Sequence, residues 1–548
     1  MGIPSYFSYI IKNHPSIIAK LLSDKNGLLV SIDHLFMDCN SIIYDAVHTI
    51  DFNNVDVETY EESVISFVID KINYYISEIE PTQTVFIAFD GVVPLAKMEQ
   101  QKTRRYKSYF MQYHDNYHGN ANKSPKWNTI NITPGTKFME KLSERLTGEF
   151  SNKDKILLST SNEAGEGEHK MFEYMRNHGN KNENVMVYGL DADLIMLSIF
   201  HYQLFQNIYI CREAPQFMLQ LMGLPEETDT NTLYTMNISM LSDSIVCDME
   251  CGDANLARIY DYVFICFLLG NDFLPHFPSL NIRTHGIQIL LDTYRKTLGG
   301  KPNCYIVNGD KINWKYFLVF LQELAKNEHV LLVDEINERN MKWGENKYWN
   351  HSREYVNLEE ELLNMPVMFR EKERYISPQY PHWEDRYYET LFNDGSLKPE
   401  LFIENEKIRR CICYSYLEGL EWVLKYYKCG DVDWSWYYQY NYAPLLFDVY
   451  KYAVEYKNCV NTIKDFKIRK KGVIKKEILL MYVSPIETWR ELGIYDSVSK
   501  KMDKESLKKH FSEIDELQFE WAFCRYFWES KVVYKKIPIE MLEHLNNM

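Results

Sequence analysis

Four short apolar runs in the first 191 residues decide most of what this chain can fold into. They are HLFMD (34–38), TVFIAFD (84–90), KILLST (155–160) and NVMVYGLD (184–191). Each is short and almost uniformly apolar, the pattern of a strand buried on both faces. Helical patterns separate them, among them EGEHKMFEYMRNHG (166–179), which stops at a glycine. Strand alternating with helix predicts an α/β region with a mostly parallel sheet. Ligands of such sheets sit beyond the carboxyl ends of the strands. Three runs end on or lead into an acid there: Asp38, Asp90 and Asp191. The fourth reaches Glu166 after a short loop.

At 548 residues the chain is expected to form roughly two to four domains. We divide it into an α/β core (1–300), a polar helical insertion (301–400) and a second, mainly helical region (401–548). The last opens with a long helical pattern (405–430), followed by the loop DVDWSWYYQYNYAP (431–444). Apolar runs such as YVFICFLL (262–269) fall well short of the about 20 residues that cross a membrane. The start, MGIPSYFSYI, does not read as a secretory leader, and Tyr6 stands where a myristoylation signal wants Ser or Thr. Eleven scattered cysteines suit a reducing compartment, cytoplasm or nucleus. Neither Cys247 with Cys251 nor Cys411 with Cys413 has the second pair a zinc site needs.

The acids Asp38, Asp90, Glu166, Glu168, Asp191, Asp193 and Asp272 are expected at one edge of the sheet. A single acid at a helix start is usually a cap. Seven in one cleft repel one another unless cations neutralise them. Oxygen-only ligands suit Mg²⁺ or Mn²⁺, and two such ions support phosphodiester cleavage. Seven residues after Asp90 begins a stripe, Lys97, Gln101, Arg104 and Arg105, on one helical face. Such a stripe binds an anion or is a solvated surface. Tyr44, Trp434 and Trp436 offer rings for base stacking or for core packing. The tract KDFKIRKKGVIKK (464–476) reads as a nucleic-acid path, a nuclear signal or a solvated loop. Net charge is −16, so any nucleic-acid binding has to follow a local positive path.

Nine stretches in order resemble the Xrn family of 5′→3′ exoribonucleases: MGIPSYF, DCNSIIYDAVH, DGVVPLAKMEQQKTRR, ITPGTKFM, GEGEHK, YGLDADLIML, FLLGNDFLPHFPSL, YLEGLEWVLKYY and WSWYYQYNYAP. The resemblance implies a Rossmann-like core of the PIN/flap-nuclease type. It implies two Mg²⁺ or Mn²⁺ ions on the seven acids, and a pocket for a 5′-monophosphate at Lys97, Gln101, Arg104 and Arg105. Asn40 and Tyr44 would contact RNA, with bases stacked between Tyr44 and either Trp434 or Trp436. Tyr44 stands where the family has histidine. The implied activity is processive degradation of single-stranded, 5′-monophosphorylated RNA to nucleoside 5′-monophosphates. A decapping partner, a monomeric state, no membrane association and a cytoplasmic or nuclear location go with it.

Two departures stand out. The large cytoplasmic members continue beyond residue 548, so bracing is expected from within or from a partner; and the stretch at 300–400 diverges. The Asn-, Ile- and Tyr-rich composition hints at an A/T-rich genome, such as a viral one. A flap-type DNA endonuclease shares the sheet and acids but lacks WSWYY. An inactive RNA-binding scaffold would be expected to have lost a metal acid, and none is missing.

Overall fold

The apolar runs build the centre of a seven-stranded sheet. The structure, a computed structural model, describes residues 2–21, 31–52, 55–117, 127–189, 191–214, 218–219, 222–223, 231–253, 255–344, 358–392, 402–459 and 474–547. The strands are β1 (Ile18–Lys20), β2 (His34–Asp38), β3 (Thr84–Ala88), β4 (Ile156–Ser159), β5 (Asn184–Tyr188), β6 (Asn207–Glu213) and β7 (Leu233–Asn237). They lie in the order β1-β7-β6-β5-β2-β3-β4. From β6 to β4 every pairing is parallel, while β7 pairs antiparallel with both β6 and β1. The α/β class read from the sequence is the fold observed.

The register aligns the strand ends: Asp38 faces Ala88, Ala88 faces Ser159, and Met37 faces Tyr188. This is the edge that carries the acids. One strand differs from the expectation of two-sided burial. β4 closes the sheet, and its Leu157 is 39% exposed, because an edge strand has a neighbour on one side only.

Apolar side chains cover both faces of the sheet. On one, Leu35, Met37, Val68 and Leu142 share a cluster. On the other, Phe36, Leu197 and Phe264 pack with Leu417, Leu420 and Val423 of the long helix Phe402–Lys428, and the cluster runs on to Leu545. One core therefore crosses the boundaries drawn at 300 and 400. The long helix ends as glycine allows: Gly430 has φ +72°, and its N–H returns to the Lys425 carbonyl at 2.9 Å.

Within the insertion, helix Trp314–Gly344 packs on helix Leu446–Cys459. Glu328 joins them, accepting from the backbone N–H groups of Leu446 and Phe447 at 2.6 and 2.9 Å. The C-terminal segment pairs Gln518–Glu520 with Lys531–Val533 and lays Ile514, Leu517 and Val532 against Tyr106. Apart from its last three residues, the basic tract at 464–476 lies outside the described residues. Among the described residues, no helix is long and apolar enough to cross a membrane.

Candidate active site

Helices start where the strands end, and that places the acids. Asp38 closes β2, and helix Asn40–Thr49 follows it. Asp90 lies two residues beyond β3. Glu166 sits at the N-cap of helix Gly167–His178, whose first turn carries Glu168. Asp191 follows β5, and Asp193 opens helix Asp193–His201. Asp272 follows the single turn Phe267–Leu269. The positive end of a helix dipole favours carboxylates there. Two contacts show the interlocking. Gly167 N–H donates to Asp90 Oδ1 at 2.7 Å, and Asp90 N–H donates to Asn40 Oδ1 at 3.1 Å. At Gly167 a Cβ would lie 2.8 Å from Asp38 Oδ1, so only glycine lets helix and carboxylate approach this closely.

The electrostatics show how crowded this edge is. Burial, then Asp90 and Asp191, pushes Asp38 well above the usual carboxylate range. Burial, then Glu166 and Asp193, does the same to Glu168. Glu166 is raised by burial against the pull of Lys97. Burial and Asp272 bring Asp193 up to about 6. Asp191 and Asp272 go the other way: burial raises them, but nearby cations, Lys97 and Arg104 among them, hold both below the usual range.

Lys97 is the buried cation of the cluster. Its Nζ lies 2.5 Å from Glu166 and 3.0 Å from Asp272. Burial lowers its pKa, and these acids more than reverse the effect, so it is strongly held in the charged form.

The stripe therefore divides. Lys97 turns into the acids. Arg105 donates to Gln101 Oε1 at 3.4 Å and to the Ile132 carbonyl at 3.5 Å. Arg104 is exposed. All four sit on helix Leu95–Tyr117 and line a cavity of about 1310 Å³. Asp38, Asn40, Tyr44, Asp90, Glu166, Glu168, Asp191 and Asp272 line it too. Asp193 lies just behind, 2% exposed.

Trp434 and Trp436 do not join Tyr44 in that wall. Trp434 is 5% exposed, and its carbonyl accepts from Leu95 N–H at 2.9 Å. Trp436 stacks on Trp422 with centroids 5.2 Å apart. A Cβ at Gly419 would lie 2.9 Å from Trp436 Cη2, so the missing side chain makes the indole's berth. From the same loop, Tyr440 and Tyr442 line the cavity instead.

Three residues escaped the sequence reading. Tyr426 and Tyr427, neighbours on the long helix, donate their hydroxyls to Glu166 and Asp193 respectively. His169 lies tilted against Tyr426, ring centroids 3.8 Å apart, and groups with Glu166 and Glu168, ligand atoms within 4.8 Å of one another. The motif GEGEHK holds His169 beside Glu168, the one signal that would have found it.

A divalent cation fits this donor set. Among the described residues, Asp38 Oδ1 and Glu168 Oε2 are buried with no hydrogen-bond partner, a costly state for carboxylate oxygens. Lys97 supplies one positive charge among seven acids. Hard cations with oxygen ligands answer both deficits.

Residues 1–214 match the family description XRN 5'-3' exonuclease N-terminus, and residues 254–378 and 376–467 match the Xrn1 helical domain. The chain is 26% identical over 600 residues to a 5'-3' exoribonuclease 2 of Arabidopsis thaliana, 28% over 516 to a 5'-3' exoribonuclease 1 of Homo sapiens, and 25% over 582 to a 5'-3' exoribonuclease 1 of Saccharomyces cerevisiae. Each alignment covers 82% of this chain and, respectively, 58, 29 and 37% of the relative.

Proposed function

The chain belongs to the Xrn family, and from that premise we propose that it is a processive 5′→3′ exoribonuclease. Its substrate is single-stranded RNA with a 5′-monophosphate, and its products are nucleoside 5′-monophosphates. One observation carries the reading: the buried, under-neutralised acids and the exposed Arg104 open onto a single cavity.

Asp38, Asp90, Glu166, Glu168, Asp191, Asp193 and Asp272 would hold two Mg²⁺ or Mn²⁺ ions. Bound there, the ions supply an activated water and charge stabilisation for the leaving oxygen. The protein's own groups do the rest. Arg104 and Arg105 give a terminal phosphate fork-shaped donors, and Gln101 adds an amide. Lys97 fixes Glu166 and Asp272 and adds positive charge between them and the phosphate. Tyr426 and Tyr427 orient Glu166 and Asp193. Tyr44, 39% exposed, is the ring on which we place base stacking, with Asn40 positioning the backbone of Asp90.

A phosphate pocket of this kind accepts a monophosphate and rejects a cap or triphosphate. A reaction that removes the cap must therefore precede it. The free cysteines fit a reducing compartment, and we place the activity in the cytoplasm. The deciding experiment offers Mg²⁺ and 5′-phosphate, 5′-hydroxyl, triphosphate and capped RNAs beside a flap DNA. Rapid loss of the 5′-phosphate RNA alone is expected; preferential cutting of the flap would overturn the reading.

A further inference from the structure

Helix Leu95–Tyr117 carries two sets of residues on opposite faces. Lys97, Gln101, Arg104 and Arg105 recur on one. Glu99, Lys102, Thr103, Tyr106 and Lys107 recur at helical spacing on the other. The second set meets residues between 482 and 534. The family matches end at residue 467, so the partner of this face is the C-terminal segment of this chain.

Polar and apolar contacts share that meeting. Tyr482 and Tyr534 both donate their hydroxyls to Glu99, the latter at 2.7 Å. The hydroxyls of Tyr534 and Thr103 lie 3.2 Å apart. Lys102 Nζ stands 4.2 Å from the Tyr534 ring centroid and 4.6 Å from that of Tyr482. Tyr106 donates to the Ser484 carbonyl at 3.5 Å, and its ring packs with Ile514, Leu517 and Val532. Lys107 donates to the carbonyls of Trp528 and Ser530 at 2.9 and 2.6 Å. Burial brings Lys102 and Lys107 each down to about 8: both cations have left water for these rings and carbonyls.

The opposite face is held far more loosely. Arg105 reaches Gln101 and the Ile132 carbonyl only at 3.4 and 3.5 Å. Arg104, among the described residues, has no hydrogen bond or ion pair of its own. Neither guanidinium is fixed by its own partners, so the backbone of the helix sets where both stand. The segment at 528–534 grips that backbone between Thr103 and Lys107, level with Arg104 and Arg105.

We infer that Lys102, set against Tyr482 and Tyr534, is a positioning residue for the 5′-phosphate pocket, passing the grip of the C-terminal segment through the helix to Arg104 and Arg105. This rests on the phosphate-binding role proposed above. Glu99, Lys107 and Tyr534 also border the cavity, but Lys102 is buried and is not among the residues that line it. It acts on substrate only through the helix. The choice of RNA end thus depends on a segment that neither family description covers.

Two variants test it. Lys102→Met keeps the side chain's length and removes its charge; Tyr482→Phe keeps the ring and removes only the hydroxyl on Glu99. Degradation of 5′-phosphate and 5′-hydroxyl RNA is measured well below each melting temperature. Lys102→Met should raise KM for 5′-phosphate RNA about tenfold and hold kcat within about twofold, because a loosened grip on the end leaves the chemical step alone. The 5′-hydroxyl RNA should change little, and Tyr482→Phe should repeat the pattern more weakly. If Lys102→Met does not fold, Tyr482→Phe decides alone. A lower melting temperature with KM unchanged, or equal losses on the two RNAs, would overturn the positioning role. Hydrogen exchange, which needs no turnover, should show amides 99–107 less protected in the variants. If wild type treats the two RNA ends alike, the phosphate reading fails, and exchange judges the brace separately: lost protection upholds it and unchanged protection overturns it.

Discussion

The cavity has two contrasting walls. The sheet edge crowds buried carboxylates around one lysine, and most of them are forced from their ordinary ionisation. The helix opposite presents Arg104 to solvent, close enough to lower Asp191 and Asp272 but, among the described residues, with no hydrogen bond or ion pair of its own. The first wall is unstable as it stands and demands cations. The second is content in water and responds only to what docks on it. On the proposed function the contrast separates two tasks: the acid wall would make the reaction possible, and the basic wall would choose the end on which it happens.

The largest expected effect tests the acid wall. Asp191→Asn removes a charge but little volume, so turnover on every substrate should fall by orders of magnitude while RNA binding persists. Single-turnover cleavage beside a binding titration measures both. Near-normal turnover would take Asp191 out of the chemistry.

Next comes the basic wall. A hydrogen bond between charged groups is worth about 1.5–3 kcal/mol, so Arg104→Ala should cost roughly ten- to a hundredfold in kcat/KM on 5′-phosphate RNA. A 5′-hydroxyl RNA, which never makes the contact, should be slow already and change little. Equal losses on the two ends would erase the distinction between the walls.

A third test uses pH. Asp38 and Glu168 are raised, and Asp193 is raised to about 6. The folded state therefore binds their protons more tightly than the unfolded chain does. Their contribution to stability is complete below the ordinary carboxylate range and is lost as pH climbs through the folded values, near 6 for Asp193. Asp191 and Asp272 are lowered, so their contribution is lost only in more acid solution. In EDTA the melting temperature should fall between about pH 5 and 7, and Mg²⁺ should restore it, by more at the higher pH, because ions then displace fewer protons. A Mg²⁺ shift that is flat with pH would count against cation binding at this edge.

The smallest effect concerns the rings. Tyr44→Ala should shorten the run of nucleotides removed per binding event, leaving the first cleavage nearly intact. Trp436→Ala, behind the wall on Trp422, should lower the melting temperature and leave the run length alone. The reverse pattern would return stacking to the tryptophan.

Much of the acid wall was legible in the sequence, because each carboxylate follows an apolar run or opens a helix, and chain order alone brings parallel strand ends together. β2 to β5 were legible for the same reason. β6, NIYICRE, mixes buried and half-buried positions, and β1 spans three residues; neither leaves a period to detect. The division of the stripe was not legible either. Helical spacing puts Lys97 beside Gln101, Arg104 and Arg105, but only the tertiary position of Asp272 and Glu166 turns it inward. Nor was the berth of Trp436 on Trp422 legible, because Gly419, seventeen residues earlier, leaves room for the indole, and no local pattern records that vacancy.

The tyrosine pair has a consequence in time. All seven acids lie within the first 272 residues, whereas the hydroxyls that steady two of them arrive with residues 426 and 427. During synthesis, a ribosome must add more than 150 further residues after the last acid before either tyrosine can reach its place. Until then a growing chain carries the seven acids but not the hydroxyls that hold two of them. On the proposed function, the message being translated lies next to a nuclease whose centre is finished only late in its own making.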